Sequence, residues 1–179
     1  MKPIAPLAIA ALTLCAASFA GAQELIQGYT CCNLHYDKEW ISDANWLLAP
    51  MIPAGARIKV LSYDSSRRAT VEVDGKQLKV SMDYGKEEPV EKFLSKIIVK
   101  TSPKAKIERY SEPVRAAIHS GKVIPGMTRE QVLVAVSYPP THKTPSLDQP
   151  MWQHWQSRAG RFEIRWDEHG KVREVVGQK

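Results

Sequence analysis

Ile124-Pro125-Gly126-Met127-Thr128-Arg129-Glu130-Gln131-Val132-Leu133-Val134-Ala135-Val136 carries the firmest local signals in this chain. Gly126 permits a sharp reversal, and Thr128 and Gln131 have the spacing of a capping box. In such a box the Thr128 hydroxyl accepts from the Gln131 backbone N–H, and the Gln131 side chain reaches back to the Thr128 N–H. Val132, Leu133 and Val136 then share one face of a helix, and Met127 folds back against it. Pro139-Pro140 forbids continuation. Gly126, Met127, Thr128, Gln131 and Val132 thus read as residues that specify fold rather than touch a ligand.

The flanks extend this pattern. Upstream, Ser111 caps a first helix with Pro113 in its first turn, running through Val114, Ala117 and Ile118 to stop at Gly121. Downstream, a polar, proline-bearing loop over 141–150 leads to a strand around Trp152 to Gln156. Phe162, Ile164 and Trp166 alternate with Glu163 and Arg165, the pattern of a half-buried strand. Asp167 to Gly170 forms a turn, and Lys171 to Val176 is the last strand. This order predicts an ααβββ two-layer α+β domain over residues 104–179.

Residues 23–103 read differently. The stretch from Tyr29 to Trp46 is mixed, and Pro50, Pro53 and Gly55 mark Leu47 to Ala56 as a loop. Ile58 and Val60, then Val71 and Val73, then Leu78, Val80 and Met82 alternate with polar neighbours. Asp74-Gly75 between the last two runs is a tight hairpin dipeptide. A small antiparallel, barrel-like β module follows from this. Pro89 opens a weak helix with Val90, Phe93, Leu94 and Ile97 on one face. Thr101 to Ile107 reads as a linker between the halves.

The C-terminal half resembles the small outer-membrane assembly lipoprotein family (SmpA/OmlA, BamE-like). The resemblance rests on Ile124 through Val132, Pro139-Pro140, Trp152, and Phe162 to Val176 with Asp167, Gly170, Lys171 and Val172. Ser137-Tyr138 stand where that family has a glycine after the second helix, and its lipoprotein cysteine is absent. The stretch from Ile52 to Val60 resembles the opening of a small Src-homology-3-type barrel of bacterial envelope proteins. The resemblance implies a role in envelope integrity or outer-membrane protein assembly, through envelope proteins or an anionic lipid surface.

The N-terminus carries an export signal. Lys2 supplies a positive n-region, Ile4 to Ala17 an apolar run, and Ala20-Gly21-Ala22 a cleavage pattern, so residues 1–22 read as a signal peptide. The run falls short of the ~20 residues needed to span a bilayer, and no later stretch is apolar enough to be a membrane helix. Cys15 follows Leu14 rather than a small residue, so it reads as discarded rather than lipidated. A periplasmic or secreted protein, with no transmembrane span in its mature chain, is therefore expected.

Residues 23–103 hold 11 Lys/Arg and 11 Asp/Glu, whereas residues 104–179 hold 13 and 8. A basic half outside the cytoplasm meets lipid headgroups or acidic proteins rather than nucleic acid. Only Cys31 and Cys32 survive cleavage. Free thiols, a bond between the neighbours, mixed disulfides and a link to another chain all stay open.

Chemistry is sparsely signalled. Cys32 and His35 stand three residues apart, but zinc needs three or four ligands and no second cluster stands nearby. His119, His142, His154 and His169 lack a strained nucleophile elbow or a paired carboxylate. No glycine-rich phosphate loop exists. A non-enzymatic interaction protein without metal or cofactor is expected. One of Trp152 and Trp155, beside Arg165, forms the candidate interaction surface, because opposite parity lets only one face the helices. Partial cover by a terminal segment or by the N-terminal half is the competing reading of that tryptophan. The other functional readings are an enzyme inhibitor of the β-lactamase-inhibitor type, working through its sheet face, and a peptidoglycan-binding module.

Overall fold

The computed structural model describes residues 26–64, 67–85 and 88–179; the expected signal peptide over residues 1–22, with Cys15, lies outside them. The class is α+β. The N-terminal half contains β1 (Gln27–Thr30), β2 (Leu34–His35), β3 (Trp40–Ser42), β4 (Met51–Ile52), β5 (Arg57–Tyr63), β6 (Arg68–Val73) and β7 (Lys76–Ser81). Helix α1 (Val90–Ile97) and β8 (Ile98–Val99) complete it. The C-terminal half contains α2 (Lys104–Ile107), α3 (Glu112–His119), α4 (Arg129–Val136), β9 (Met151–Trp155), β10 (Arg161–Trp166) and β11 (Val172–Val176).

The expected alternating runs form β5, β6 and β7, and Asp74 and Gly75 take the positive φ that their tight turn demands. The sheet around them is larger than a small antiparallel unit. Its six strands run β3-β7-β6-β5-β1-β8 and are mixed, because β3 lies parallel to β7. That correction has a physical cause. β1, β3 and β8 are two to four residues long, too short to show alternation, and gain their place by pairing. The curled sheet buries Ile58, Val60, Val71, Val73, Leu78 and Val80 against Val90, Phe93, Leu94 and Ile97 of α1. Each such burial contributes about 2 kcal/mol.

The stretch read as a linker is not one. Lys104–Ile107 forms α2, and Ile107 enters a second core with Ile118, Met127, Val132, Trp152, Phe162 and Ile164. A single apolar residue among lysines leaves no periodicity to detect, yet its burial orders the segment. The loop from Leu47 to Ala56 also holds β4, which pairs with β2.

Helix α4 begins as its sequence dictates. Thr128 Oγ1 accepts from the Gln131 N–H at 3.3 Å, Gln131 Oε1 accepts from the Thr128 N–H at 2.9 Å, and Met127 is fully buried. Thr128→Ala is expected to lower unfolding free energy by about 1 kcal/mol in urea denaturation. Ser111 occupies the N-cap position of α3 but makes no side-chain cap hydrogen bond. Strands β9, β10 and β11 form an antiparallel meander, the second sheet.

Candidate functional site

The halves meet around the C-terminus of α4, whose last carbonyls have no partner within the helix. Asn33 and Asn45, both buried, supply the missing donors. The Asn33 backbone N–H donates to the Val134 carbonyl at 2.9 Å. Its side-chain amide donates to Ala135 at 3.0 Å and to Ile118, at the end of α3, at 2.6 Å. Asn33 Oδ1 accepts from the Ala54 N–H at 2.9 Å. The Asn45 amide donates to Val136 at 2.9 Å and to the Asn33 carbonyl at 3.2 Å, and its Oδ1 accepts from the His35 N–H at 2.7 Å. Two side chains from the N-terminal half therefore complete two helices of the C-terminal half.

Immediately before Asn33, Cys31 and Cys32 are joined by a disulfide. Cys32 is fully buried, and the Ser137 hydroxyl lies 3.4 Å from its sulfur. Cys31 is half-buried and opens onto a cavity of about 340 Å³. Val99, Pro103, Ile107, Leu133, Val134 and Tyr138 supply the apolar part of its remaining wall. This explains the one exception on α4. Its spacing predicts Leu133 on the buried face, but it is only half-buried and lines this cavity.

At the mouth, Lys106 is paired with Glu130. Beneath them the Tyr110 hydroxyl is buried with no partner among the described residues. Burial and then the neighbouring Glu130 carboxylate push the Tyr110 phenol up, and burial alone raises Tyr138. Both phenols stay neutral and the rim charges cancel, so the cavity suits an uncharged apolar group.

The expected interaction surface is corrected by burial. Trp152 is fully buried, with Arg129 over its ring, and Trp155 is 5% exposed. Parity does not free either indole, because the outer one meets cover from elsewhere in the chain. Trp155 packs against Tyr84 of the N-terminal half and His142 of the loop before β9, with ring centroids 5.9 and 5.2 Å apart. Arg165 reaches Glu163 and Glu174, both at 3.2 Å.

The histidines are scattered. His154 is enclosed between Trp152 and Phe162, and burial pushes its imidazole down to about 3. His35 Nδ1 lies 3.4 Å from Asn45 Oδ1, and burial lowers its imidazole to about 4. His142 is lowered by burial and by Lys143, while His169 lies 3.6 Å from Glu168.

Sequence reasoning also missed Asp43, buried after β3. Its carboxylate accepts from the backbone N–H groups of Asp83, Tyr84 and Gly85 at 3.1, 3.2 and 2.5 Å. Burial raises its carboxyl against the pull of those three donors. The available signal was three polar residues, Asn33, Asp43 and Asn45, interleaved with Leu34, Ile41 and Ala44.

No family model, curated protein or solved structure matches this chain. Among the described residues no helix is long and apolar enough to cross a membrane.

Proposed function

We propose that this chain is an exported, non-enzymatic interaction protein of the cell envelope. On this reading it acts in envelope integrity or outer-membrane protein assembly by holding an apolar side chain of a partner protein beside Cys31. The observation that carries the reading is the apolar cavity of about 340 Å³ with a charge-cancelled mouth, framed by both halves of the chain. Proteins bind such cavities by inserting one aromatic or branched side chain. The export signal supports the periplasmic or secreted location, and so does a cysteine pair joined as a disulfide, a bond that persists in oxidising compartments.

The finer description of the C-terminal half as a BamE-like ααβββ domain belongs to this proposal. It is supported by the order α3, α4, β9, β10, β11 and by the Gly126-Met127-Thr128 reversal into α4. The inhibitor reading loses its motivating feature, because no tryptophan of β9 or β10 is exposed.

Leu133→Asp places a carboxylate in the cavity wall, and its urea midpoint is measured alongside because Leu133 also packs against the C-terminal core. Pulldown from envelope extracts with the mature wild-type chain is expected to retain a protein partner that this variant loses. Identical retention by both proteins would count decisively against the cavity as the contact.

A further inference from the structure

On the side of the molecule bearing β3, a second depression, of about 360 Å³, lies between Trp40 and Trp46. Its character is opposite to that of the cysteine cavity. Asp37, Asp83, Arg68 and Arg158 line it together with the two indoles. A further depression of about 380 Å³ adjoins it, shares Trp40 and Arg68, and reaches Tyr63. The two form a groove with an aromatic ring at each end and one at the middle.

The walls are held before any ligand arrives. Trp40 pairs with Lys79 across β3 and β7, and it exchanges two 2.9 Å backbone hydrogen bonds with Asp37. Those bonds close a tight turn in which Lys38 takes a φ of 58°. The Asp83 N–H donates to buried Asp43, and Asp83 Oδ1 accepts from the Ser81 hydroxyl at 2.7 Å. Fixed rings and fixed carboxylates lower the ordering cost of binding. The cations are the adjustable part. Arg158 lies 5.1 Å over the Trp46 ring yet is 78% exposed, and Arg68 lies 5.5 Å from the Trp40 centroid.

The chemistry selects among ligands. A lipid tail or apolar side chain would take the Asp37–Arg158 ion pair, 3.8 Å apart, and the Asp83 carboxylate out of water and give them nothing in return. A nucleic-acid strand needs a marked positive excess, whereas Asp37, Asp64 and Asp83 here stand against Lys38, Arg68, Lys79 and Arg158. Strand addition by a peptide has little edge to use, since β3 is three residues long. A sugar chain fits what remains. Its C–H faces stack on indoles, and its adjacent hydroxyls pair with planar carboxylates and guanidinium groups.

We propose that the groove running from Trp46 past Trp40 to Tyr63 binds a saccharide chain, with Trp40 as its central platform and Asp83 as a fixed hydroxyl acceptor. Arg158 swings off Trp46 to admit the ligand and then donates to it. This site is separate from the cysteine cavity, and either can fail without the other.

Titration of the mature chain with maltopentaose and with an N-acetylglucosamine pentamer, followed by saturation-transfer NMR and tryptophan fluorescence, tests it. Saturable binding of at least one sugar is expected, and the preferred sugar separates a glucan from an amino-sugar glycan such as peptidoglycan. Trp40→Ala and Asp83→Ala are each expected to weaken binding about tenfold or more, the scale of one lost stacking or charged contact. Their urea midpoints are measured alongside, and Leu133→Asp is expected to bind sugar normally. No saturable signal from either sugar up to about 10 mM overturns the proposal. So does unchanged affinity in both groove variants, or saturation of the same tryptophans by a proline-rich peptide or a single-stranded oligonucleotide alone.

Discussion

Asn33→Asp is expected to lower the unfolding free energy by about 4 kcal/mol at pH 7, although it exchanges only an NH₂ for an oxygen. The amide donates to the Ile118 and Ala135 carbonyls at 2.6 and 3.0 Å. A carboxylate there sets negative oxygen against two buried carbonyl oxygens and leaves that of Ala135 without its donor, while that of Ile118 keeps the Gly121 N–H at 3.0 Å. Asn33→Ala removes the repulsion but still orphans the Ala135 carbonyl and the Ala54 N–H, and is expected to cost about 2–3 kcal/mol. Urea denaturation followed by tryptophan fluorescence reads both losses. A loss below about 1 kcal/mol in Asn33→Asp would show that the halves cohere without this residue.

Acid is the second strong lever. Burial lowers His35 to about 4 and His154 to about 3, both from 6.5. An imidazole with a depressed folded value takes up its proton more readily in the unfolded chain. Its contribution is therefore complete above pH 6.5 and is lost as pH falls, down to about 4 for His35 and about 3 for His154. At about 1.4 kcal/mol per pH unit for each group, moving from pH 7 to pH 4.5 is expected to remove about 5 kcal/mol. Asp43 opposes this in part, because its raised carboxyl favours the folded state as acid protonates it. Urea midpoints measured between pH 7 and pH 4.5 give the slope. His154→Phe should roughly halve that slope at little cost at pH 7, since its Nε2 has no partner among the described residues and its ring stacks on Phe162. A midpoint that stays flat to pH 4.5 would refute the assignment.

Much of the architecture was legible residue by residue. The capping box at Thr128 and Gln131, the Asp74-Gly75 turn and the alternation over β5, β6, β7 and β10 are local signals, and the structure keeps each of them. What stayed hidden was short or relational. Strands of two to four residues show no periodicity. Ile107 is one apolar residue among lysines, and its burial depends on a core assembled elsewhere in the chain. Trp155 illustrates the same limit from the other side. Strand parity let only one of Trp152 and Trp155 face the helices, but only the docking of Tyr84 and His142 decided that Trp155 would be covered.

The sequence by itself determined the α+β class, the two ends of α4 and the central hairpin. Each of these follows from residues within a few positions of one another, where sterics, capping and hydrophobic period act directly. The tertiary structure alone decided that Asn33 and Asn45 would complete helices begun about a hundred residues later, as the separations of 102 and 91 residues to Ala135 and Val136 show. It also decided that Cys31 would open onto an apolar cavity and that Trp40 and Trp46 would border a polar groove. A buried amide names no partner in its own neighbourhood, and a cavity exists only where surfaces from distant segments fail to close.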